Sequence, residues 1–148
     1  MKRKNSLLPP SYLFIYLILA VFLHLIFPVK NIITACFFGL VLIVLGLTIN
    51  LWANNLSKKK KTIVKPDKIP TYLITKGPFS FSRHPMYLGF VLILLGVSLI
   101  LGSLTSFIAP VLMFITLERK FIPFEEKQMK KCFGKKYLEY QKKVRRWL

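Results

Sequence analysis

Residues 86–117 read MYLGFVLILLGVSLILGSLTSFIAPVLMFITL, a stretch of 32 positions without one charge. As a single helix at about 1.5 Å per residue it would reach roughly 48 Å, far more than a hydrocarbon core of about 30 Å. Gly102-Ser103-Leu104-Thr105-Ser106 supplies turn residues in its middle, so the stretch reads as two short helices joined tightly. Pro110 is expected to kink the second, which neighbouring helices must then accommodate. Upstream, residues 11–27 are interrupted only by His24 and a few hydroxyls, and residues 31–53 form a second apolar run. The expectation is an all-α integral membrane protein of one domain. It has four transmembrane helices at about 11–27, 31–53, 86–101 and 104–123, a long loop and an amphipathic helical tail.

Composition agrees. Apolar residues make up 54% of the 148, yet the net charge is +18. A soluble domain could not bury that much apolar surface with so few acids, whereas lipid-facing spans joined by basic loops can. Three basic residues precede the first span, eight lie between Asn54 and Pro85, and eleven follow from Glu118, which places 22 of the 23 on one side and Lys30 alone on the other. By the positive-inside rule the N- and C-termini are then cytosolic. The first span has no clear small-residue cleavage site after it and is expected to be retained. Cys36 falls within the membrane and Cys132 in the cytosol, so no disulfide joins them, and neither has the neighbours of a metal site.

Gly39, Gly46 and Ala53 recur every seven residues in the second span, as do Gly89 and Gly96 in the third. Such stripes let helix backbones approach closely. The Lys58–Lys61 run beside the second span reads as a contact for anionic lipid headgroups, worth about 1 kcal/mol per basic residue. Nucleic acid is a poor partner, since no aromatic-basic alternation accompanies the charge. In the tail, Met129, Phe133, Tyr137, Tyr140, Val144 and Trp147 step at helical period, broken at Gly134. The tail is expected on the membrane surface with Trp147 at the headgroups.

Two constellations can carry chemistry. Arg83-His84-Pro85-Met86-Tyr87-Leu88-Gly89 opens the third span, and Pro85 suits a first helical turn. The free amides and positive dipole end of that helix then lie beside Arg83 and His84, which makes an anion site; an ordinary basic interface anchor is the plainer reading. Glu125-Glu126 follows Pro123. Acids in a first turn simply complement a helix dipole, but the chain has only five acids, and two stand side by side among basic residues. Together an anion site and a carboxylate pair suit a zwitterion with an extra positive charge, such as S-adenosylmethionine (SAM). His24 reads as a hydrogen-bonded packing histidine, for want of an acid in any span. There is no phosphate loop, nucleophile elbow or His/Cys metal spacing.

The stretch from Thr75 to Gly89, then Glu125-Glu126, Phe133-Gly134-Lys135-Lys136-Tyr137-Leu138-Glu139-Tyr140 and Val144-Arg145-Arg146-Trp147, resembles the isoprenylcysteine carboxyl methyltransferases and the related phospholipid methyltransferases, in a compact prokaryotic-type form. The resemblance covers roughly the C-terminal half and implies SAM binding at the cytosolic face by residues 71–148. Cofactor contacts would come from a Tyr72-Leu73-Ile74 strand, Phe79, Arg83, His84, Pro85, Met86, Tyr87 and Glu125. Glu126 and Arg119 would serve catalysis, Arg119 by engaging the substrate. The reaction implied is in-line transfer of a methyl group to a lipid-like or prenylated acceptor. A carboxylate acceptor needs no base, while an amine would need Glu126 or His84. Sterol-type NADPH reductases share an Arg-His-Pro-x-Tyr-x-Gly stretch but carry Asn and Glu where this chain has Met86 and Phe90. A non-enzymatic polybasic lipid-binding protein would explain the charge and neither constellation.

Overall fold

The computed structural model describes residues 8–27, 36–60 and 70–148. Among them there is no β-strand, and six α-helices carry the fold: α1 (Pro9–Ile26), α2 (Cys36–Lys59), α3 (Pro85–Leu101), α4 (Ile108–Thr116), α5 (Ile122–Phe133) and α6 (Lys135–Lys143). Residues 1–7, Lys30, residues 31–35 of the second span and Lys61 of the lysine run lie outside the described residues.

α1 and α2 are long and apolar enough to cross a bilayer, with mean hydropathies of 1.9 and 2.2. Only 11% and 17% of those windows are buried inside the fold, and Phe14, Ile18, Leu25, Phe37, Phe38 and Leu51 stand exposed. Apolar surface of that extent belongs against lipid. α3, at 17 residues, is the central helix: Tyr87, Phe90 and Leu94 pack with Met113, Leu117, Phe121 and Ile122, and α1 covers that core through Tyr12, Leu13, Tyr16 and Leu17. His24 lies on α1 half-buried, its Nδ1 without a hydrogen-bond partner among the described residues.

α2 and α3 meet through the glycine stripes. A Cβ on Gly96 would stand 2.4 Å from the carbonyl oxygen of Gly39, and one on Gly46 would stand 2.6 Å from that of Gly89. Backbone against backbone is the only packing possible there. At its far end α3 stops at Gly102, which adopts φ 63° as a left-handed cap. Ser98 and Ser106 exchange side-chain hydrogen bonds with each other's carbonyls across the turn, so polar groups inside the apolar layer satisfy one another.

The helix expected at 104–123 differs from expectation. Residues 104–107 are a 3-10 turn, and the helix starts at Ile108. Pro110 does not kink it, because it occupies the first turn, where backbone N–H groups have no intrahelical partner anyway. Nor does the helix end near Pro123. A π-helical turn, Leu117–Phe121, links α4 to α5, so residues 108–133 form one helical run. In regular α geometry the Pro123 ring would meet the carbonyl of Arg119; the wider turn accommodates it.

The tail also turns elsewhere. Gly134, at φ 50° and ψ −123°, breaks α5 from α6. Tyr137 and Tyr140 are buried against the protein, and Trp147 packs on Phe114 at 4.7 Å. Cys36 and Cys132 are free and exposed.

Candidate functional site

The loop before α3 sets the first constellation. A 3-10 turn at Gly77–Ser80 buries Pro78 and Phe79, and the buried Ser82 hydroxyl accepts the His84 N–H at 3.2 Å. Arg83 and His84 are thereby fixed just ahead of Pro85, the first residue of α3. The continuous helix through the π turn brings Glu125 and Glu126 opposite them. Because those glutamates stand mid-run, they cap no free helix end, and the dipole explanation for them loses its basis.

Glu125 and Glu126, neighbours on one helix, face different partners. Glu125 accepts a short hydrogen bond from the Tyr87 hydroxyl and lies 3.4 Å from His84 Nδ1. Glu126 is 2.9 Å from Arg83 Nη1 and 3.7 Å from His84 Nε2, and it receives Arg146 as a fork, Nε at 3.1 Å and Nη2 at 2.9 Å. Arg146 also reaches Glu118. Burial alone would raise the Glu126 carboxyl, but His84, Arg146 and Arg83 more than reverse it and hold it down at about 2. Burial likewise works against a charged His84, and the two carboxylates outweigh it, so its pKa is raised. Tyr137 is pushed up to about 12 by burial, reinforced by the Glu126 charge.

A cavity of about 410 Å³ opens beside this cluster, bounded by the start of α1, the end of α2, the loop before α3, and α5 and α6. Nine of the residues singled out from sequence line it. Arg83, His84, Tyr87 and Glu125 form its polar side, and Tyr72, Ile74, Phe79, Pro85 and Met86 contribute apolar wall. Tyr72-Leu73-Ile74 is irregular and not a strand of any sheet among the described residues, but it keeps extended alternation: Tyr72 and Ile74 line the cavity and Leu73 does not. Glu126 stands behind the lining, and Arg119 is exposed on the π turn, outside the cavity.

Sequence reasoning missed Asn54 and Ser57 on α2 and Gln128 on α5, and it gave Lys58 only a headgroup contact; all four line the cavity. Polar residues closing an otherwise apolar span were their signal. Met129, Tyr137 and Tyr140 were visible as a stripe, but it faces the cavity. Tyr140 also donates to the Phe79 carbonyl at 2.6 Å, tying α6 to the loop.

Arg83 Nε and His84 Nε2 are buried and find no hydrogen-bond partner among the described residues. Arg83 Nη1 meets Glu126 at an angle that makes an ion pair and no hydrogen bond. A buried donor left unmatched costs about 1–3 kcal/mol, and both side chains belong to the cavity wall, where a ligand's acceptor could draw on them. With Glu125 on the same wall and aromatic rings around it, the site suits a ligand holding an anionic group, a cationic group and a flat ring system.

A family profile described as phospholipid methyltransferase matches residues 34–136. A protein-S-isoprenylcysteine O-methyltransferase of Arabidopsis thaliana is 35% identical over 72 residues, 49% of this chain and 36% of that protein. The Saccharomyces cerevisiae protein of that name is 38% identical over 87 residues, 55% of this chain and 35% of its own. The chain thus spans little more than a third of these relatives. In three dimensions it matches the eukaryotic intramembrane Ras methyltransferase, an isoprenylcysteine carboxyl methyltransferase, with a TM-score of 0.68 over 94% of this chain and 51% of the other. At 23% identity that match speaks for the fold.

Proposed function

The chain belongs to the phospholipid methyltransferase family, and on that premise we propose that it is a SAM-dependent methyltransferase working at the cytosolic membrane face on a lipid-like or prenylated acceptor. The observation that carries the reading is one cavity whose wall brings together Arg83, His84 and the Glu125 carboxylate. A non-enzymatic lipid-binding protein has no use for that convergence.

The residues fit SAM. Arg83 and His84 offer donors to its carboxylate, Glu125 offers an acceptor to its ammonium or ribose, and the Tyr72, Phe79 and Tyr137 rings give its adenine and sulfonium apolar and π surface. When bound, SAM supplies a methyl group made electrophilic by the adjoining sulfonium. The side chains of the site hold ligands, align them and exclude water.

The same geometry favours an acceptor that arrives as an anion. Glu126, at about 2 and forked by Arg146, is a weak base, and the two carboxylates beside His84 favour its charged form over the free base. Both Glu125 oxygens are engaged by Tyr87 and His84. An amine would need a base that none of these supplies; a carboxylate needs none. Carboxyl methylation of an isoprenylcysteine is therefore the finer reading. Glu126 then holds Arg83 and His84 in place, and Arg119 can serve only an acceptor held outside the cavity, along the π turn.

Four spans with both termini cytosolic complete the proposal, supported by the distribution of basic residues. Lys58–Lys60 at the end of α2 then lie at the surface where anionic headgroups sit. The test is transfer of labelled methyl from SAM into a farnesylcysteine substrate and a total membrane extract by purified protein in detergent. The label is expected as an alkali-labile ester, and S-adenosylhomocysteine (SAH) is expected to raise the thermal midpoint while NADPH does not. Alkali-stable label would replace the carboxylate with an amine. Stabilisation by NADPH alone would replace the methyltransferase with a reductase.

A further inference from the structure

Residues 145–147 run back along the loop before α3. The Arg83 N–H donates to the Arg145 carbonyl at 3.0 Å, and the Ser82 hydroxyl donates to the Arg146 carbonyl at 3.0 Å. Trp147 Nε1 donates to Glu118 at 2.9 Å. The family profile ends at residue 136, before this strap, whose role is read from its geometry.

Three basic side chains converge on one carboxylate. Glu126 has two oxygens, and a guanidinium satisfies both at once only when it approaches as a fork. Arg146 has that approach, through Nε and Nη2. Arg83 is left with an edge contact to one oxygen at 2.9 Å, and its Nε stays unmatched. Arg146 does not line the cavity, so it touches no ligand there.

Resting on the reading that the cavity holds SAM or its product, we infer that Arg146 is a positioning residue: by occupying the Glu126 fork it prevents Arg83 from closing onto Glu126 and leaves the Arg83 donors open to the ligand's carboxylate. Without Arg146, Arg83 is the same chemical group, already in contact, and takes the vacant fork. Its donors are then used internally, and the ligand loses them. The effect runs through Glu126 alone; the contact of Arg146 with Glu118 and the carbonyl bonds of the strap play no part in it.

The experiment is isothermal titration of SAH into wild type, Arg146→Ala, Arg146→Lys, Glu126→Gln and the Glu126→Gln/Arg146→Ala double variant, all full-length in detergent. Arg146→Ala is expected to weaken SAH about tenfold, a coupling of the size found for groups in one ion-pair network. Lysine keeps the charge without the fork and recovers only part of the loss. In the Glu126→Gln background, Arg146→Ala is expected to change affinity less than about twofold, since no anionic fork remains to compete for. A poorly folded variant shows as reduced stoichiometry, and Arg146→Lys then decides. Wild-type affinity in Arg146→Ala or Arg146→Lys overturns the inference, as does an undiminished loss in the Glu126→Gln background, which would place the role in the Glu118 contact. Failure of the wild type to bind SAH overturns the methyltransferase reading instead.

Discussion

Along the seam between α2 and α3 two helices touch backbone to backbone at Gly39/Gly96 and Gly46/Gly89. At the mouth of the cavity, the start of α3 and α5 meet through the far ends of Arg83, His84, Tyr87 and the two glutamates. The tolerances are opposite. A backbone contact has no rotamer with which to yield, so one added carbon forces the helices apart. An ion pair can re-form around a lost partner, and its strength follows protonation. The seam therefore determines whether the site exists, and the mouth determines what it holds and at which pH.

The sharpest way to break that contrast is Gly96→Val. Its Cβ would already stand 2.4 Å from the Gly39 carbonyl and 2.7 Å from the Ile43 side chain, before the γ carbons are counted. Overpacking of this kind costs typically about 1–3 kcal/mol in cores that can relax; against rigid backbone we expect more than about 3 kcal/mol. Loss of the monodisperse detergent-extracted species measures it. A variant that folds within a few degrees of wild type would mean the helices can separate, and the seam is not the rigid half.

Changing pH comes next in size and acts on the mouth alone. Glu126 falls from 4.5 to about 2 on folding, so its contribution is complete above about 4.5 and is lost as pH falls through about 2. The shift corresponds to about 3 kcal/mol. His84 is raised, so its contribution is complete below 6.5 and is lost as pH climbs through the higher folded value. A thermal-midpoint scan is expected to decline on both sides, with Glu126→Gln flattening the acid limb and His84→Asn the alkaline one. A seam variant that still folds lowers the midpoint equally at every pH. Acid and alkaline limbs unchanged in the mouth variants would show that the cluster does not couple to folding.

What could be read in the sequence follows the same division. The seam was legible because both halves of the contact repeat every seven residues within their own spans, and helix geometry alone puts such residues on one face. The mouth was half legible: Glu125-Glu126 stood out through the scarcity of acids, and Arg83-His84 through their place before Pro85. The role of Glu126 was not, since it depends on Arg146, twenty residues on and one of eleven basic residues after Glu118. Period could show the stripe through Met129, Tyr137 and Tyr140, but not whether lipid or the protein's own cavity covers it. The π turn was hidden for a third reason. Pro123 usually ends a helix, and only packing of Leu117 and Phe121 into the core reveals that this one continues.

The smallest expected effect isolates why a glycine is needed at all. Gly134 joins α5 to α6 at φ 50°, and a Cβ built there meets nothing within 4 Å. Gly96 is the reverse case, with ordinary helical backbone and no space. Gly134→Ala should therefore lower stability only by the backbone term, about 1–2 kcal/mol. Because α6 carries Tyr137 and Tyr140 to the cavity wall, that strain falls on the hinge of the wall and not on the seam. SAH affinity should weaken with it, while extraction as a monodisperse species stays intact. A loss in Gly134→Ala as large as that in Gly96→Val would mean that α6 docks against something the open space at Gly134 does not reveal, and the division between a rigid seam and an adjustable mouth would have to be redrawn with α6 on the rigid side.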